Sequence, residues 1–125
     1  MLITITDIKH NQQRYPTVGD WVWDANGNLL ITISDMGDWR YNFLIAFHEL
    51  IEVMLCRKRG ITQEEVDQFD MVYEKQRKEN DFSEPGDSRL APYYNEHQFA
   101  TKMEREMARE LGVDWDDYNE KVLSL

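Results

Sequence analysis

A chain of 125 residues with 42% hydrophobic and 12% aromatic side chains suits one domain, residues 1–125, with a core that needs no staples, and is too apolar for disorder. Its formal charge of −10 argues against nucleic acid as a partner, since such a surface repels phosphate backbones. The lone cysteine, Cys56, excludes an internal disulfide; the start MLITITDIKHN lacks a signal-peptide pattern and no apolar run reaches the roughly 20 residues of a membrane span, so the expected location is cytoplasmic with no membrane partner. The charge is uneven: residues 1–61 carry 7 acidic and 6 basic side chains, residues 62–125 carry 17 and 8.

Leu2 to Ile8 alternates apolar and polar residues, the period of a half-buried strand. His10 to Thr17 is polar and reads as a connection, with His10 a loop histidine. Trp21-Val22-Trp23 and Leu29 to Ser34 flank Asn26-Gly27, a strong hairpin signal. Asp38 then caps a long helix that Gly60 ends. Thr62 and Glu65 form a capping box for a second helix reaching about Glu79, with Val66, Phe69, Val72 and Tyr73 as its core stripe. Asn80 to Pro92 is a loop region that serves either as a lid or rim or as a slack linker. A third helix, about Tyr93 to Leu111, ends at Gly112, and Asp114 caps a short last one. The expected architecture is α+β: a small N-terminal antiparallel three-stranded sheet packed on a long central helix and two to three further helices.

The long helix carries the chemistry. Between Phe43 and Cys56 its only polar residues are His48, Glu49 and Glu52. At about 100° per residue, Glu52 lies roughly 40° around the axis from His48 and Glu49 about 100° away on the same side. The rest of the circumference is apolar, which predicts a buried central helix. A buried imidazole with two carboxylates needs partners. On the third helix Phe99, Ala100, Met103, Met107 and Leu111 define an apolar face, with Glu96 projecting into it and His97 at its edge. Together His48, Glu52, Glu96 and His97 have the ligand types of a divalent metal site, suiting zinc, manganese or iron. The competing arrangement pairs Glu49 and Glu52 with Arg40, Arg59 or Lys102 around a satisfied core histidine.

His48-Glu49-Leu50-Ile51-Glu52 resembles the H-E-x-x-H helix of zincin-like metallopeptidases. Asn95-Glu96-His97-Gln98-Phe99-Ala100 is similar to the second helix of minimal gluzincin-type members, in which a glutamate before a Phe-Ala pair is the third ligand. The resemblance implies His48, Glu52 and Glu96 as metal ligands, Glu49 as the catalytic base that activates water, and a metal-dependent hydrolase acting on a peptide or protein. The chain departs from the pattern at Glu52, where the family has a second histidine; His97 would restore a two-histidine set. Two other readings stand beside it: a non-enzymatic interaction protein whose acidic helices dock on a basic partner, and a magnesium site like that of all-α nucleotide pyrophosphohydrolases, which Glu49-x-x-Glu52 and Glu64-x-x-Asp67 resemble.

Overall fold

The computed structural model describes all residues, Met1–Leu125. The chain forms β1 (Ile3–Ile8), β2 (Gly19–Trp23), β3 (Leu29–Ser34), α1 (Trp39–Lys58), α2 (Gln63–Lys75), α3 (Tyr94–Glu110) and α4 (Trp115–Leu123), with 3-10 turns at His10–Gln12 and Pro85–Asp87. It is an α+β fold with a small sheet and helices, and no helix is long and apolar enough to cross a membrane.

The expected hairpin joins β2 and β3 in antiparallel register, Trp23 opposite Leu29. β1 corrects the antiparallel expectation. It pairs with β3 in parallel, giving the order β1-β3-β2. The long polar connection after β1 carries the chain across to the far edge, so β2 enters beyond β3 and the most apolar strand takes the centre. β3 buries Leu29, Ile31 and Ile33 on its inner face and leaves Leu30 exposed, the alternation that a sheet covered on one face requires. β1 overhangs the helices, so Ile3 and Ile5 stay 38% and 47% exposed rather than half-buried.

α1 begins where the Asp38 side chain accepts from the Arg40 N–H. It ends at Gly60, whose φ of 71° lets the Ile61 N–H reach the Cys56 carbonyl at 2.9 Å, a glycine C-cap. The helix lies across β2 and β3 and packs along α3. It buries Leu44, Ile45, Val53 and Cys56, but Trp39 and Phe43 are exposed and Leu50, Ile51 and Met54 half-buried. α1 is therefore central but not enclosed: three strands and one neighbouring helix cannot wrap the whole circumference. The expected capping box opens α2, in which Val66 is buried and Val72 exposed. Asp114 caps α4 through the Asp117 N–H.

Candidate metal centre

His48 and Glu52 stand one turn apart on the buried side of α1, and His97 comes from the first turn of α3. His48 Nε2 lies 3.1 Å from Glu52 Oε2, His97 Nδ1 lies 2.9 Å from the same oxygen, and the two nitrogens are 3.2 Å apart. All three side chains are buried. Hydrogen bonding alone fills two edges of such a triangle at a time. If both nitrogens donate to Glu52, the nitrogen–nitrogen edge holds no bond; if one is bare, it accepts across that edge and Glu52 loses a donor. A dication about 2.0–2.1 Å from each donor in tetrahedral geometry would space the donors by about 3.3 Å. The triangle is close to that size, and the group is one that could hold a metal ion.

The surroundings fix the ligands. Glu104 Oε1 accepts from His48 Nδ1 at 2.7 Å, which turns Nε2 toward Glu52, and the Tyr118 hydroxyl holds the other Glu104 oxygen at 2.5 Å. Such carboxylates behind metal-binding histidines set ring orientation and basicity. Trp21 Nε1 donates to Glu52 Oε1 at 3.4 Å. A Cβ placed on Gly86 would lie 2.4 Å from His97 Cγ, so only glycine lets the 3-10 turn press its backbone on the imidazole.

Without a cation the charges arrange themselves around protons. Burial would lower His48, but Glu104 and Glu52 outweigh it and raise its pKa well above the ordinary value. His97 is likewise opposed by burial yet pushed up to about 12 by Asp87, Glu52 and Glu84. Burial raises Glu52, and the hydrogen bonds from His48 and His97 reverse this to about 2. Glu49 is raised well above the carboxylate range, by burial first and then by the charge of Glu52. It lines a cleft of about 790 Å³ shared with His48, Glu52, His97, Asp70 and Tyr93.

Of the four expected ligands the fold brings three together. Glu96 is apart from them, with its Oε2 2.6 Å from Arg59 Nη1. His97, its neighbour, takes the third place. The combination is two histidines and one glutamate. The competing ion pairs do not form: Arg40 binds Asp38 and Arg59 binds Glu96. Asp67, from the second carboxylate pair, is held by Arg14 instead of facing Glu49. Cys56 is a buried thiol that burial pushes up to about 12, and His10 bonds Ser34. Sequence reasoning missed Glu104, Tyr118 and Asp70, a buried carboxyl bonded by the hydroxyls of Tyr15 at 3.0 Å and Tyr93 at 2.5 Å. The signal for Glu104 was its place one heptad after His97 on the same face of α3.

No protein-family model, curated protein or solved structure matches the chain.

Proposed function

We propose that this protein is a metal-dependent hydrolase whose cation is held by His48 Nε2, Glu52 Oε2 and His97 Nδ1, with a peptide as substrate. The convergence of those three buried atoms to within 2.9–3.2 Å carries the reading. Two imidazoles and a carboxylate suit zinc, manganese or iron(II), and a three-ligand site leaves positions for water and substrate.

A divalent cation at such a site supplies Lewis acidity and a lowered pKa for bound water. The chain's own residues would do the rest. Glu49 adjoins the candidate ligand His48 and lines the cleft. A dication at the neighbouring ligands would favour its ionised form, in which it could take a proton from the attacking water and deliver it to the leaving amine. Gly19 supports this place for Glu49: a Cβ there would lie 2.8 Å from Glu49 Cγ and Oε1, so the bare backbone of β2 lets the carboxyl lie beside the strand. β2 is a sheet edge, and Val18 to Trp21 line the cleft. An extended peptide laid along that edge would gain main-chain hydrogen bonds and pass its carbonyls by Glu49.

The test is to strip metal with a chelator, add back Zn²⁺, Mn²⁺ or Fe²⁺, and follow melting temperature and cleavage of a peptide library. Binding at a hundredfold excess over Kd stabilises by about 2.7 kcal/mol. A melting temperature that no cation moves would overturn the metal reading and favour the acidic interaction protein. Metal binding without cleavage of any peptide would overturn the hydrolase.

A further inference from the structure

The imidazole of His97 has a second nitrogen that the site above does not use. His97 is 5% exposed, and its Nε2 is buried without a hydrogen-bond partner. Yet Glu84 Oε2 and Asp87 Oδ1 lie 3.1 Å and 3.3 Å from it. At those separations the missing hydrogen bonds mean that neither oxygen is in line with the ring N–H. Both carboxylate oxygens therefore sit off that axis. A cation about 2.1 Å from the nitrogen and about 2.0–2.2 Å from each oxygen would have an ordinary coordination shell, and the present separations are of the size such donors keep. Two anionic oxygens held against a buried imidazole nitrogen by charge, with no aligned hydrogen bond, are a donor set that a divalent cation could take over from the ring proton.

The local chain is built for this convergence. Pro85–Asp87 is a 3-10 turn in which Gly86 rests against the His97 ring, and Glu84 and Asp87, three residues apart around it, each bring a carboxylate oxygen to Nε2. Asp87 is steadied by Gln98 Nε2 on Oδ1 at 3.4 Å and by the Glu84 N–H on Oδ2 at 3.4 Å. Neither Glu84 nor Asp87 forms an ion pair with lysine or arginine; His97 is the partner of both. Their side chains are 50% and 49% exposed, which leaves water access to an ion between them. Glu84, Asp87 and His97 form a second group that could hold a metal.

Resting on the reading of the inner site, we propose that His97 bridges two divalent transition-metal ions. Nδ1 binds the inner one with His48 and Glu52, and Nε2 binds an outer one with Glu84 and Asp87. The imidazole enters as the imidazolate, its two ring protons passing to solvent as the ions bind. A borderline cation such as Zn²⁺ or Cu²⁺ fits a nitrogen with two carboxylates; Mg²⁺ and Ca²⁺, which prefer oxygen, do not. The outer ion ties the loop between α2 and α3 to α3 and so fixes one wall of the cleft.

Chelator-treated protein is titrated with Zn²⁺ for stoichiometry, and its Cu²⁺ form is read by electron paramagnetic resonance. The parent should take two equivalents and show a magnetically coupled copper pair. Glu84→Gln with Asp87→Asn should take one equivalent and give an uncoupled signal. Glu52→Gln reports on the inner site alone. One equivalent in both parent and double variant, lost in Glu52→Gln, overturns the outer site and leaves the inner one standing. One equivalent lost in the double variant but kept in Glu52→Gln overturns the inner site. Two equivalents surviving in the double variant, or two uncoupled coppers in the parent, overturn the bridge; no metal at all overturns both sites. Since Glu84 and Asp87 are half-exposed, circular dichroism of the double variant should match the parent.

Discussion

Glu52 is buried without an arginine or lysine beside it; its partners are His48, His97 and Trp21. Removing one member of a buried charged set ordinarily costs about 3–5 kcal/mol. If the set exists to hold a cation, Glu52→Gln should lower metal affinity more than it changes the stability of the metal-free protein. Isothermal titration and chelator-treated melting curves separate these effects; an unchanged Kd would remove Glu52 from the ligand set. Glu49→Gln is the contrasting variant. It should keep the parent's metal content and abolish peptide cleavage, as loss of a base does. Glu104→Gln should weaken metal binding by about 10–100-fold through the orientation of His48, and rescue of affinity by Glu104→Asp would mark it as positioning the ring. His48, Glu49 and Glu52 were legible in the sequence because polar residues on an otherwise apolar helix stand out. Glu104 was not, because on α3 the buried stripe is itself polar: Glu96, His97, Ala100 and Glu104. Hydrophobic periodicity therefore pointed to a neighbouring stripe that includes Phe99, which is 47% exposed.

At the scale of elements, α1 holds two of the candidate ligands and α3 the third, so their packing sets the triangle. Leu44 and Val53 are fully buried on α1, whereas Leu50 and Ile51 are half-buried. Leu44→Ala should destabilise by about 2–5 kcal/mol; a loss below about 1 kcal/mol in urea denaturation would place that face outside the core. The turn at Gly86 acts on the site more locally. Gly86→Ala must push the turn or the His97 ring aside, since the added Cβ has no space. It should weaken metal binding with little effect on the α1–α3 core, which calorimetry and titration resolve together. Helix boundaries were legible from Asp38, Gly60, Thr62, Gly112 and Asp114, whose capping chemistry is local. Strand order was not: alternation in β1 reveals its faces but not which edge of β3 it joins.

For the whole molecule, the cleft unites the candidate cation site with a second buried network. Asp70 accepts from Tyr15 and Tyr93. Burial lifts its pKa to about 7, aided by the charges of Glu52 and Asp67 and opposed by the two hydroxyls. In an unfolded chain an aspartate titrates near 3.9. Between these values the folded state binds the extra proton, so the Asp70 contribution to stability is full below about pH 4 and is lost as pH rises to about 7. Asp70→Asn removes that slope. Stability curves of parent and variant should converge at acid pH relative to their separation at pH 8, with the variant gaining as pH rises; parallel curves would show that Asp70 does not titrate there. The acidic surface of α2, α3 and α4 lies mostly in exposed positions, consistent with a solvated face.

The proposed centre needs three donors meeting at one point, and zinc K-edge X-ray absorption of protein loaded with a single equivalent of Zn²⁺ examines that point directly. It should give two imidazole nitrogens and a carboxylate oxygen at about 2.0–2.2 Å, from His48, His97 and Glu52, with one imidazole lost in His48→Asn. A spectrum with one imidazole or none, unchanged by His48→Asn, would contradict it.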